Sequence, residues 1–143
     1  ADGEAFATLS ASETLNVVRV SEAEMTERLW KKLAVSCVLN PLTALHSCRN
    51  GEALPGREDT WRAVCAEIAA LDDCPCTAAD LEEAIYQCVA ENAANYSSMY
   101  QDVAAGRRTE VDALSGWVVD RARGGGAPES ARLAAAVRAL SPH

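Results

Sequence analysis

The sequence has no run of about 20 consecutive apolar residues, the length that a membrane-spanning helix needs. Its 13 basic residues are scattered along the chain and are outnumbered by 21 acidic residues, so that the net charge is −8. Binding of nucleic acid requires a concentrated cationic surface, which this pattern lacks. We therefore expect a protein that does not span a membrane and does not bind nucleic acid.

A metal site is also disfavoured, although the chain has six cysteines and two histidines. Cys37, Cys65 and Cys88 lie within apolar helical patterns, where a thiol behaves as a small hydrophobic group. The Cys74-Pro75-Cys76 sequence lacks the two-residue spacer of a zinc knuckle and a second matching pair. We expect free thiols in a reducing compartment and no bound metal.

The length of 143 residues fits a single domain. The chain starts with Ala1, and no charged region followed by an apolar run precedes the first helical pattern. Either a leader has been removed or the chain is a fragment.

Helical periodicity and abundant alanine predict a mainly α fold. Residues 15–20 are a strand-like exception, so residues 1–20 are expected to form an extended segment before a helical domain at 21–140. Pro41 is expected to end the first helix, because proline disfavours helical geometry at the preceding residue. The predicted helices, the first and third capped by Ser21 and Thr77, span about 21–40, 59–71, 77–104, 108–123 and 129–140.

The first helix has a polar stripe on an otherwise apolar surface. Lys32, Ser36 and Asn40 recur at intervals of four residues, which places them along one helix face. Taken singly, Lys32 is interpreted as a surface lysine with a buried stem and Asn40 as a C-cap. Together, the three side chains could line a polar cleft.

A second polar group follows near the middle of the chain. Asn95 and Ser98 are spaced to share a helix face, and Glu110 comes twelve residues later; a solvated helix end is the alternative. Asn50-Gly51-Glu52 is most simply a turn.

Three motifs, WKKLAVSCVLNPLTAL, CRNGE and SSMYQDVAAGRRTEVDALSG, occur in this order. They resemble the C-terminal domain of ketopantoate reductase (2-dehydropantoate 2-reductase), and the resemblance covers about residues 15 to 140. It implies an all-α helical bundle of the type also found at the C-terminus of 6-phosphogluconate dehydrogenase. It also implies that the two polar groups face one cleft.

The resemblance further implies roles for the polar residues. Lys32 would be the general acid that protonates the alkoxide as hydride reaches the ketone, and Glu110 would orient it. The substrate, a small keto acid, would be bound by Asn40, Asn95 and Ser98. Ser36 stands where the family has asparagine, so a contact is lost or bridged by water.

The sequence also departs from the family at its start. Residues 1–31 contain no glycine-rich dinucleotide turn, and the glycines at 124–126 follow a helix instead of joining a strand to one. The chain is therefore expected to bind no cofactor alone, and NADPH only with a Rossmann-fold partner.

Three hypotheses remain for function. The leading one is a non-catalytic structural or interaction subunit of a larger complex, placed in mitochondria with the cytoplasm as the alternative. The second is the substrate-binding, proton-donating half of an NADPH-dependent reductase of pantothenate biosynthesis, completed by a separate chain. The third is a sensor or carrier of a small acid. The first two require an obligate protein partner.

Overall fold

A computed structural model describes residues 18–141, and within this range every regular element is helical. This confirms the all-α prediction. The α-helices are α1 (Glu22–His46), α2 (Glu58–Ala69), α3 (Ala78–Asn92), α4 (Ser98–Ala104), α5 (Trp117–Ala122) and α6 (Pro128–Leu140). A 3₁₀ turn (Asn50–Glu52) and a π-helical segment (Asp112–Gly116) complete the set.

The first helix starts as predicted but ends later than predicted. Ser21 caps it by accepting a hydrogen bond from the Glu24 amide, while the Glu24 carboxylate accepts one from the Ser21 amide. Pro41 does not end the helix; α1 continues to His46, and Ser47 in the left-handed conformation terminates it. The continuation buries Leu42 and Ala44, which offsets the hydrogen bond that proline cannot donate.

The third predicted helix is two helices. Thr77 and Asp80 form the expected capping box at the start of α3, but α3 ends at Asn92. Ser97 then caps α4 by accepting a hydrogen bond from the Tyr100 amide. The prediction of one helix over 77–104 was wrong because the chain turns between Asn92, where α3 ends, and Ser97, which caps α4.

The fourth predicted helix is shorter than expected and is irregular at its start. Residues 108–111 lie outside it, and the π-helical segment precedes α5. The last helix, α6, agrees with its prediction to within one residue. Residues 18–20 have no regular structure, and the rest of the predicted strand, at 15–17, lies outside the described residues.

The core surrounds α1, which contacts α2, α3, α4 and α6. The main buried cluster joins side chains of α1, such as Val38 and Leu42, to Trp61 and Ile68 of α2 and Leu81 of α3. A smaller cluster, which we call the second cluster, contains Ala44, Met99, Val111, Ala134 and Val137. Among residues 18–141, no helix is long and apolar enough to cross a membrane.

Candidate functional site

The polar stripe of α1 rises from the core to the surface. Asn40 and Ser36 are half-buried, whereas Lys32 is exposed. The neighbouring Lys31 lies 3.8 Å from the Glu27 carboxylate, while Lys32 forms no ion pair with any residue of the described range. The Lys32 ammonium group is therefore accessible to a ligand.

Asn95 and Ser98 do not share a helix face. Asn95 lies in the turn before α4, where its Nδ2 donates a hydrogen bond of 3.3 Å to Asn92 Oδ1. Ser98 is the first residue of α4, directly after its cap, Ser97. Both Asn95 and Ser98 are exposed, so their side chains remain available for binding.

Glu110 lies just before the π-helical segment. Its carbonyl oxygen accepts hydrogen bonds from the amides of Ala113 and Leu114, at 3.0 and 3.2 Å. Its side chain is exposed and makes no ion pair with Lys32 within 4.0 Å. The two predicted catalytic residues are therefore not in direct contact with each other.

The second cluster connects these three regions of the chain. Ala44 continues the α1 stripe one turn beyond Asn40, and it is buried in the same cluster as Met99 and Val111. Met99 directly follows Ser98, and Val111 directly follows Glu110. Burial of these apolar neighbours ties Ser98 and Glu110 to the C-terminal half of α1.

Sequence reasoning missed two supports of this region. Thr43 is fully buried in α1, and its hydroxyl lies 2.6 Å from that of Ser97. Asn50 and Gly51, interpreted as a simple turn, donate backbone hydrogen bonds of 3.0 and 2.9 Å to the carbonyls of Asn95 and Ala93. Ser97 precedes a helical pattern, which is a sequence signal for an N-cap. The partners in these contacts are more than 40 residues apart in sequence, so no local pattern predicts them.

Burial disfavours the thiolate form of two cysteines near the stripe. Cys37, which follows Ser36, is fully buried, and burial raises the pKa of its thiol to about 12. Burial likewise raises the pKa of the Cys65 thiol to about 12. In the described part of the chain, no group of three or more His, Cys, Asp or Glu side chains is placed to hold a metal ion.

A groove of about 650 Å³ lies elsewhere, between the α2–α3 connection and α5. Its lining includes Asp73, Asp120, Arg121 and Trp117, but none of the six predicted site residues. Asp73 and Arg121 are paired across it, and the pair lowers the pKa of the Asp73 carboxyl. The groove is therefore separate from the candidate site.

Residues 24–141 match the family described as "Ketopantoate reductase PanE/ApbA C terminal". A 2-dehydropantoate 2-reductase of Salmonella typhimurium is 46% identical over 110 residues, which are 73% of this chain and 36% of the relative. A 2-dehydropantoate 2-reductase of Halobacterium salinarum is 40% identical over 100 residues, which are 66% of this chain and 33% of the relative. The chain thus spans about a third of the length of these curated relatives.

Solved structures agree with these sequence matches. The ketopantoate reductase of Ralstonia eutropha has a TM-score of 0.70 at 31% identity, over 80% of this chain and 40% of that one. D-mandelate dehydrogenase, solved with NADH and anilino(oxo)acetate, has a TM-score of 0.74 at 22% identity, over 98% of this chain and 49% of that one, and shows the fold alone. From its helical fold and its match over residues 24–141, the chain belongs to the ketopantoate reductase C-terminal domain family.

Proposed function

We propose that this chain is the substrate-binding and proton-donating part of a 2-dehydropantoate 2-reductase. The observation that carries the proposal is the second cluster, which ties the segments bearing Ser98 and Glu110 to the α1 helix that bears Lys32 and Asn40. The identity of 46% to a reductase of that name supports the same activity. The proposal favours the second of the three hypotheses from the sequence.

The described residues lack the strand and glycine-rich turn that hold NADPH in a Rossmann fold. They contain no strand, whereas a dinucleotide turn joins a strand to a helix, and the glycines at 124–126 follow α5. NADPH, held by a further part of the enzyme, would supply the hydride. We assign to this chain the binding of the keto acid and the transfer of a proton to it.

Lys32 is suited to the proton transfer. Its ammonium group is exposed and is not neutralised by an ion pair with another described residue, so it can approach the carbonyl oxygen of a bound keto acid. As negative charge develops on that oxygen, the ammonium group stabilises it and then donates its proton. The exposed Glu110 carboxylate would orient the lysine or the hydroxyl end of the substrate once the cleft is filled.

The uncharged residues would orient the substrate. Asn40 and Asn95 can each donate and accept hydrogen bonds, and Ser98 can donate to the carboxylate of the keto acid. Ser36 has a shorter side chain than the asparagine implied by the family resemblance. It would reach the substrate only through water, which would weaken binding more than it slows the proton transfer.

One surface feature of the structure bears on the structural-subunit hypothesis. Val18, Met25 and Leu29 are exposed, with 62%, 47% and 60% of their surface accessible, and Met25 and Leu29 lie one turn apart on the same face of α1. Such a surface is expected to contact another protein domain. A nucleotide-binding part would cover it as well as another subunit would, so the feature is compatible with the reductase.

We also propose that the protein is cytoplasmic. The curated relatives named above come from a bacterium and an archaeon, which have no mitochondria. These relatives do not support the mitochondrial location expected from the sequence.

The proposal is tested by an exchanged enzyme, in which residues 24–141 of this chain replace the matching part of the Salmonella typhimurium reductase. The exchanged enzyme should reduce 2-dehydropantoate with NADPH. Lys32→Ala should lower kcat by about 10²- to 10⁴-fold, the usual contribution of a general acid. Lys31→Ala, which removes the neighbouring charge, should leave kcat within about threefold.

Two results would contradict the proposal. A folded exchange enzyme without activity would show that the domain has lost the reaction. Equal activity in the Lys32 and Lys31 variants would show that the proton comes from another group.

A further inference from the structure

Residues 92–98, which we call the site turn, accept hydrogen bonds from the 3₁₀ turn (Asn50–Glu52). The Asn50 amide donates to the Asn95 carbonyl at 3.0 Å, and the Gly51 amide donates to the Ala93 carbonyl at 2.9 Å. The Asn50 side chain adds a third bond, from its Nδ2 to the Asn92 carbonyl at 3.2 Å. Asn50 is buried, so these bonds are shielded from competition with water.

Gly51 allows this close approach. A Cβ atom at position 51 would lie 3.0 Å from the Ala93 Cβ and 3.1 Å from the Ala93 carbonyl oxygen. Both contacts are tighter than ordinary van der Waals contacts, so a residue with a side chain would push Ala93 away by a few tenths of an ångström. The first part of the site turn therefore has its position set by a glycine contact.

The end of the site turn is held by a chain of hydroxyl groups. The Thr43 hydroxyl has one hydrogen, which it donates to the Leu39 carbonyl at 2.7 Å. The Asn40 carbonyl lies 3.1 Å from the same hydroxyl. With Thr43 donating to either carbonyl, Ser97 is the donor in its 2.6 Å hydrogen bond with Thr43 Oγ1, while Ser97 Oγ accepts from the Tyr100 amide at 3.0 Å. Both hydroxyl hydrogens therefore have an acceptor. The two hydroxyl groups join the α4 cap to the turn of α1 that contains Asn40.

We propose that Thr43 is a positioning residue for keto-acid binding. It acts through Ser97, and together with the Asn50-Gly51 turn it fixes Asn95 and Ser98 relative to Asn40. Thr43 itself is fully buried and would not touch the substrate. The inference rests on the proposed function, because the position of the site turn matters for binding only if Asn95 and Ser98 bind the keto acid.

The test compares Thr43→Val with Thr43→Ser in the exchanged reductase described above. Valine has the shape of threonine but has no hydroxyl, whereas serine keeps the hydroxyl. Thr43→Val should raise KM for 2-dehydropantoate about ten- to a hundredfold, with a much smaller change in kcat, because the reacting lysine is elsewhere. Thr43→Ser should keep KM for 2-dehydropantoate within about threefold of the value before substitution. KM for NADPH should be unchanged in both variants.

A second measurement checks the hydroxyl chain in the same variants. Hydrogen exchange of the Tyr100 amide, which is bonded to Ser97, should be faster in Thr43→Val than in Thr43→Ser. A role in general stability alone would change exchange throughout the core without changing the ratio of KM to kcat. If Thr43→Val does not fold, Ser97→Ala removes the same contact from the other side and should give the same rise in KM.

Two failures are distinguishable. An unchanged KM in Thr43→Val, or in Ser97→Ala if that variant replaces it, overturns the inference when Lys32→Ala still lowers kcat as expected; the proposed function then stands. A folded exchanged enzyme that shows no activity before any substitution overturns the proposed function, and the inference fails with it.

Discussion

Cys37 and Cys65 are fully buried, and their thiols share one physical property. Burial disfavours the thiolate and raises the pKa of each from 9.0 to about 12. Between pH 9 and about pH 12, the unfolded chain therefore binds fewer protons than the folded chain. The free energy of unfolding has its full value below pH 9 and falls as the pH rises through this window.

The expected decline is up to about 1.4 kcal/mol per pH unit for each thiol. We expect the double variant Cys37→Ala/Cys65→Ala to be less stable than the parent at pH 8 but to lose less stability between pH 8 and 10. Urea unfolding at several pH values measures both slopes. Val64→Ala is the control: it removes buried atoms but no titratable group, and it should keep the parent slope.

Gly51 and Gly116 provide a matched pair of glycines. At position 51 a Cβ would come within 3.0 Å of Ala93, whereas at position 116 it would meet other atoms only at 3.6 Å, in helical backbone. We expect Gly51→Ala to lower the free energy of unfolding by about 1–3 kcal/mol through overpacking. Gly116→Ala should leave it unchanged or raise it by about 0.5–1 kcal/mol. Equal losses in both variants, measured by urea unfolding, would contradict the close approach at Gly51.

At the scale of the element, α6 depends on a cap from another helix. Its N-cap position is Ala127, which has no capping side chain, and Pro128 follows. The Glu67 carboxylate of α2 instead accepts bonds from the amides of Glu129 and Ser130, at 2.7 and 2.9 Å, and from the Ser130 hydroxyl at 2.6 Å. A negative charge at this end of a helix is also favoured by the helix dipole.

Removing this cap should loosen α6. We expect Glu67→Ala to cost about 1–3 kcal/mol of folding free energy, because two helix amides lose their acceptor. The exposed Glu83 of α3 is the control, and Glu83→Ala should change stability by less than about 0.5 kcal/mol. Hydrogen exchange should locate the loss at residues 129–133; a uniform increase in exchange would argue against a local cap.

Helix boundaries were predictable where the signals are local. The N-caps of α1 and α3, Ser21 and Thr77, lie within four residues of the groups that they bond, and both formed as expected. Pro41 was misleading, since its cost within a helix is smaller than the gain from burying the next turn. Thr43, whose hydroxyl bonds the carbonyls of Leu39 and Asn40, helps that turn to remain helical.

The break between α3 and α4 was not predictable from nearby residues alone. The carbonyls of Ala93 and Asn95 accept hydrogen bonds from the amides of Gly51 and Asn50, respectively, which lie more than 40 positions earlier. A pattern that reports helical periodicity contains no information about such a contact. The motif resemblance identified the candidate site residues, but their common dependence on the second cluster became visible only in the fold.

At the scale of the whole molecule, one face at the start of α1 exposes apolar side chains. Met25 and Leu29 lie one turn apart and are both exposed. We expect the chain alone to associate as its concentration rises, because this surface would otherwise face water. Met25→Gln/Leu29→Gln should shift sedimentation toward the monomer, whereas Leu140→Gln, at the other end of the chain, should not. A parent chain that stays monomeric at high concentration would contradict the predicted need for a partner.

The central place of α1 also affects how the protein is made. Within this domain α1 is synthesised before the residues that pack against it, because Ala44 is buried in one cluster with Met99, Val111 and Val137, which come later in the chain. At synthesis rates of about 5–20 residues per second, the apolar side of α1 waits on the order of 5 to 20 seconds for its partners. The nascent domain therefore exposes the apolar side of α1 until residue 137 has been synthesised, and chaperone binding should be strongest during that interval.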